Sequence, residues 1–289
     1  MTQRVAAEHP AGYRNGRLHF EPKYKVLTTD FDVEAYTKEA RGRIAVDADA
    51  VELDGEARAD LHFLWRMEAA ALGDMRAMLA SWTGNEARIT AFLATWAYER
   101  YWNARAARDL LEAVGEPTPE LPPLEGLRPK LRHAYVENLL PIVAPVIGLV
   151  VREPATAGHM ARMAVHEGAL QVGYQALLPR LDGAARDVVA EIIDRRRTFI
   201  DFFRQEAVAR IGRSSAERWS ARVSLAWPWS SLRPDAVFHP DEGPRLRSLL
   251  REQRSRSALA TSDAEIGHLL PGRPMPTMAA VRRSVRRKG

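Results

Sequence analysis

Glu68, Arg100 with Asn103, Glu167, and Arg196 with Phe199 are the residues whose types and spacing carry chemistry in this 289-residue chain. The charged ones each fall within a run of apolar residues at helical spacing. A buried charge costs several kcal/mol unless it is paired or ligates a metal. Two carboxylates on facing helices can hold a cation. An arginine cannot be deprotonated in a protein and therefore cannot ligate one. It can instead present a planar fork to a carboxylate. The expected arrangement is a buried network, Glu68 with Arg100 and Glu167 with Arg196, with direct and crossed pairing both open. Glu99, Glu191 and Asp194 are the alternatives in a slipped register, and His62 and His166 are the only histidines near the two glutamates.

Other chemistries lack their residues. The absence of cysteine removes disulfides, zinc–thiolate sites, iron–sulfur clusters and a thiol nucleophile. No P-loop, Gly-x-Gly-x-x-Gly, Gly-x-Ser-x-Gly or His-Glu-x-x-His occurs. No residue is assigned a catalytic role, and no metal ligand set is complete.

Four long helices must position the charged residues. Leu61, Trp65, Glu68, Leu72, Met75 and Leu79 mark the first, over about 56–81. Ile89, Leu93, Trp96, Arg100, Asn103, Ala107, Leu110 and Val114 mark the second, over about 86–114. The third, about 156–178, carries Met160, Met163, Glu167, Leu170, Tyr174 and Leu177. The fourth, about 184–211, carries Val189, Ile192, Arg196, Phe199 and Phe203. Gly115 and Pro117, Pro179, and Gly212 stop three of them. A Pro-rich link (117–129) and an apolar segment, Leu131–Val151, read as a kinked helix, join the two hairpins. The pattern describes an all-α four-helix bundle with one long crossover.

With those residues in place, the chain resembles the ferritin-like diiron superfamily, which includes bacterioferritins, ribonucleotide reductase small subunits and acyl-carrier-protein desaturases. That family orders its ligands Glu, Glu-x-x-His, Glu, Glu-x-x-His along four helices. Glu68 matches the first position and Glu167 the third. Arg100-x-x-Asn103 and Arg196-x-x-Phe199 stand where Glu-x-x-His belongs. The flanking Trp96-Ala-Tyr-Glu-Arg and Phe199-Ile-Asp-Phe-Phe are similar to desaturase-type helices. The resemblance covers about 56–211 and implies a bundle from which the metal ligands have largely gone. It implies no cofactor, or iron in the alternative reading as an oxidase or acyl desaturase. The implied partner is a second copy, or an active diiron paralogue in a heterodimer.

The rest of the chain divides around that core: an N-terminal arm and short helix (1–55), the bundle (56–211), an extension packing on it (212–270) and a basic tail (271–289). Asp32 is placed to cap the short helix, which runs to about Arg43. Trp219, Trp227 and Trp229 are read as packing against the bundle. The overall charge of +5 is uneven. Residues 242–289 hold eleven Lys and Arg against four acids, whereas residues 1–241 hold 31 against 33. Arg245, Arg247, Arg251, Arg254 and Arg256, on a basic helix over 245–259, and Arg282, Arg283, Arg286, Arg287 and Lys288, in an exposed tail, are candidate contacts to nucleic acid, an anionic membrane or an acidic protein. No apolar run is long enough to span a bilayer, and the expected location is cytoplasmic.

Overall fold

The computed structural model describes residues 13–14, 17–18, 27–116, 153–226, 229, 231–232 and 242–286. The connection read as Leu131–Val151 lies outside them. The described chain is all-α apart from a two-residue antiparallel pairing of Tyr13–Arg14 with Arg17–Leu18, inside the arm read as irregular.

Asp32 caps α1 (Val33–Lys38) by accepting from the Ala35 N–H, and α1 stops short of Arg43. Asp54 does the same for Ala57 at the start of α2 (Gly55–Ala69). A continuous first helix over 56–81 does not form. It breaks at Ala70, and α3 (Ala71–Leu79) follows. Arg100 Nη2 donates to the Met67 carbonyl at 2.6 Å. That carbonyl is the acceptor residue 71 would use in an unbroken helix. The break also leaves Leu72, expected in the core, 43% exposed.

The other three long helices are continuous: α4 (Ala87–Ala113), α5 (Pro154–Leu177) and α6 (Gly183–Arg213). Gly183 turns the chain into α6 with φ of 51°, a conformation that strains residues with a Cβ. α2 packs on α4 and α5 on α6, and α2–α5 and α4–α6 contacts join the pairs. α5 is buried around most of its circumference because α7 (Ser215–Ser224) and α9 (Gln253–Gly267) also cover it. Gly158 and Gly168 permit that approach. A Cβ at either would lie within 2.3 Å of a serine hydroxyl on α7 or α9.

Among the described residues the core forms two apolar clusters. One holds Leu61, Leu64, Ala107, Leu110, Leu170, Leu177, Val189 and Ile192. The other holds Phe92, Leu93, Trp96, Met160, Met163, Phe199, Phe202 and Phe203. The chain passes between them at residue 68 leaving α2, at 100 in α4, at 167 in α5 and at 196 in α6. α2 and α6 cross in one direction, α4 and α5 in the other. The helices therefore form two antiparallel pairs, and α4 and α5 run the same way.

The C-terminal reading needs correction. The basic segment 245–259 is not one helix: α8 (Glu242–Leu249) ends before α9 begins. The exposed tail over 271–289 is replaced by α10 (Pro276–Arg286), which buries Thr277, Ala280 and Val281. Asp263 on α9 accepts from the Met278 N–H at 2.8 Å and anchors it. Trp219 does not pack on the bundle but is 66% exposed. Trp229 does pack, and Trp227 lies outside the described residues.

Candidate functional site

Glu68, Arg100, Glu167 and Arg196 meet where the two clusters adjoin, and all four side chains are fully buried. Arg100 contacts Glu68 Oε2 through Nε and Glu167 Oε1 through Nη1. Arg196 contacts Glu68 Oε1 through Nη1 and Glu167 Oε2 through Nη2, each at 2.7 Å. Each arginine thus bridges both carboxylates, so pairing is direct and crossed at once. Every carboxylate oxygen lies within ion-pair distance of a guanidinium nitrogen, Glu68 Oε1 and Glu167 Oε1 accept hydrogen bonds from Arg196 and Arg100, and the four charges sum to zero.

Backbone and rings complete the layer. Arg100 holds the Met67 carbonyl, and Arg196 Nη2 donates to the Glu167 carbonyl at 2.9 Å. Trp96 Nε1 donates to Glu167 Oε1 at 3.2 Å, and the Arg100 guanidinium lies 5.4 Å from the Trp96 ring centre. Arg196 lies 5.7 Å from the Tyr174 ring centre. Burial by itself would raise the Glu167 carboxyl, but Arg100 and Arg196 hold it below the usual carboxylate range. Burial and then Glu68 push the Tyr174 phenol well above its ordinary value. Burial takes His166 down to about 4, so its ring is neutral at pH 7. Its Nδ1 accepts from the Leu232 N–H at 3.4 Å.

Asn103 and Phe199, at the two expected histidine positions, are also fully buried. Phe199 joins the aromatic cluster. Neither the nitrogen nor the oxygen of the Asn103 amide has a hydrogen-bond partner. A cavity of about 190 Å³ beside the α2–α3 break reaches Glu68 between Trp65, Ala69, Leu72 and Tyr101.

The alternative ligands lie elsewhere. Glu99 points away from the Glu–Arg layer, is buried beneath the N-terminal segment, and accepts from the Tyr36 hydroxyl (3.1 Å) and the Arg41 N–H (2.6 Å). Burial raises its carboxyl. Glu191 pairs with Arg195, Asp194 with Arg41, and His62 stacks on Trp65. Among the described residues no group of three or more His, Asp or Glu is placed to hold a metal ion. The two irons implied by the resemblance do not fit this donor set. Two carboxylates remain, and their oxygens already face two permanent cations.

The candidate basic contacts differ in their engagement and exposure. Arg245 is half-buried: with Arg180 (2.6 Å) and Ser248 (2.6 Å) it clamps the buried Asp60, at 3.3 Å. Arg251 reaches Glu56 at 3.4 Å while remaining exposed, and Arg247 is half-buried. Arg254, Arg256 and Arg282 are exposed. The side chains of Arg283, Arg286, Arg287 and Lys288 lie outside the described residues.

A second buried network was not anticipated. Arg210 holds Glu86 at 2.6 Å and Glu206 at 3.1 Å, and Arg88 also meets Glu206. Glu206 and Arg210 extend the Arg196–Phe199–Phe203 stripe by two further steps, and that continuation was the available signal. Trp96, four residues before Arg100 on its stripe, gave a similar one.

Comparison of the chain with protein-family models, with curated proteins and with solved structures finds no match. Among the described residues no helix is long and apolar enough to cross a membrane.

Proposed function

We propose that this chain is a non-catalytic protein of the ferritin-like type, in which a charge-neutral Glu–Arg layer takes the place of a diiron centre, and that it acts by binding or assembly. The reciprocal bridging of Glu68 and Glu167 by Arg100 and Arg196 carries the reading. One helix of each antiparallel pair supplies a glutamate, and the other supplies an arginine where a ligand would stand. The parallel course of α4 and α5, joined by one long connection, supports the same assignment. With its carboxylates neutralised, the layer has no open acceptor for a metal and no group poised to move a proton. Function then rests with surfaces, toward a second copy or a diiron-bearing paralogue.

The test is metal content by mass spectrometry, on untagged protein from iron-supplemented culture. The reading expects no stoichiometric metal. About two irons per chain, the complement of a diiron site, refutes it and makes the protein an oxidase or desaturase candidate.

The exposed Arg254, Arg256 and Arg282 favour a second reading, binding of an acidic protein or nucleic acid through the C-terminal region. Duplex binding that falls steeply with salt and is lost in Arg254→Glu/Arg256→Glu supports it. Salt-independent or absent binding removes it.

A further inference from the structure

The outer face of α7 is neither part of the core nor of the buried layer. Its inner face buries Glu217, Ser220 and Ala221 against α5 and α6. Outward, Trp219 is 66% and Val223 48% exposed, one turn apart on the same side. Arg218 is exposed beside them and Arg222 is half-exposed. Arg222 Nε donates to the Pro271 carbonyl at 2.8 Å, which brings the exposed Arg273 to the same end of the helix. The one carboxylate of α7, Glu217, is buried and paired with Arg213 at 2.5 Å. The exposed face of α7 therefore combines an indole and a valine with guanidinium groups and carries no acid.

We infer that the outer face of α7 docks on an anionic phospholipid surface. An indole has an apolar body and one N–H, which suits the headgroup boundary. Arginine forks match phosphate oxygens, and a cationic face is drawn to a negative bilayer. Two exposed apolar side chains fall far short of the roughly 800 Å² per partner of a stable protein interface. A fluid headgroup layer demands no matching shape. The contact is peripheral: Trp219 and Val223 enter the headgroup region while the helix lies in the plane of the surface.

Co-sedimentation of the full chain with vesicles tests this. Phosphatidylcholine vesicles containing about one third phosphatidylglycerol should bind it, and pure phosphatidylcholine vesicles should not. Binding should weaken with salt. Each charge unit near the surface is worth about fivefold, so Arg218→Glu should weaken binding about 25-fold. Trp219→Ala should also weaken it, whereas Arg254→Glu, on α9, should change it little. Circular dichroism checks that each variant folds, which exposure of the substituted residues favours. Absent binding, equal binding to both vesicle types, or retention of affinity in Trp219→Ala overturns the inference. So does a Trp219-dependent dimer, or Trp219-dependent binding of single-stranded RNA, without vesicle binding.

Discussion

Replacing Arg100 with alanine removes the partner of two buried carboxylate oxygens and of the Met67 carbonyl. Breaking a buried ion pair costs about 3–5 kcal/mol. A buried carbonyl left without its donor adds about 1–3 kcal/mol. The two overlap because Arg196 still holds both glutamates, so the expected loss is about 4–6 kcal/mol. That is a large share of the roughly 5–15 kcal/mol available to a folded domain. The layer then carries a net −1, and the Glu167 carboxyl should rise from its depressed position. The cost should accordingly be smaller at pH 5, where the carboxyl can take a proton, than at pH 7.5. The informative companion is Glu68→Leu/Arg100→Met/Glu167→Leu/Arg196→Met, which removes every charge together. Buried ion networks replaced by apolar groups of similar volume are often neutral or more stable. The Met67 carbonyl and the Trp96 N–H still lose their partners, at about 1–3 kcal/mol each, so this variant should lose about 2–6 kcal/mol, well below the sum of its four single changes. Urea unfolding followed by circular dichroism measures all of these. An Arg100→Ala loss below about 1 kcal/mol refutes the pairing. A fourfold variant as destabilised as the sum of its single changes refutes the coupling.

Under the proposed ferritin-like reading, installing a diiron ligand pattern with Arg100→Glu, Asn103→His, Arg196→Glu and Phe199→His should create iron binding, read against the parent by metal analysis and visible absorption. A folded variant without iron counts against that reading. Arg210→Ala should cost about 3 kcal/mol because Glu206 stays buried with Arg88 and the Thr29 hydroxyl on one oxygen and its other oxygen loses Arg210. Arg245→Ala should cost below about 1 kcal/mol, since Asp60 keeps Arg180 and Ser248. Comparable losses at the two positions would contradict the burial difference. For His166, whose ring falls from 6.5 to about 4 on folding, the unfolded chain binds the extra proton between those values. Stability should therefore fall as pH drops from about 6.5 to about 4, by about 3 kcal/mol for this group. His166→Gln should flatten that part of the profile, and an unchanged slope would show that other groups set it. Glu99 and Asp263, raised by burial, work in the opposite direction.

The long helices were legible because one hydrophobic period runs through each, and breakers such as Gly115, Pro179 and Gly183 punctuate it. The charged interruptions were legible for the same reason. The break at Ala70 was not. No proline or helix-stopping glycine marks it, and its structural correlate is a guanidinium 33 residues along the chain taking a backbone carbonyl. Arg245 and Trp219 misled in opposite ways. Arg245 lies in a basic run that suggests solvent, yet a buried aspartate from α2 claims it. Trp219 is a residue type that suggests a core, yet the facing side of α7 is filled by Ser220 and Ala221. Composition describes what a residue prefers, and neighbours distant in sequence determine what it meets. α10 was hidden likewise, since its anchor Asp263 lies on another helix.

The placement of the Glu–Arg layer between two apolar clusters has a consequence for alignment. Slip of any one long helix by a turn, about 5.4 Å, would carry its charge into hydrocarbon and strand its partners. Leucines and phenylalanines tolerate neighbouring alignments far better. The layer works like the notch of a key, admitting a single lengthwise setting of four helices at once. The uncharged fourfold variant should therefore keep its helical content and a cooperative unfolding transition while its near-ultraviolet dichroism weakens and its affinity for hydrophobic dyes rises. Stability and uniqueness would then come from different residues of the same core.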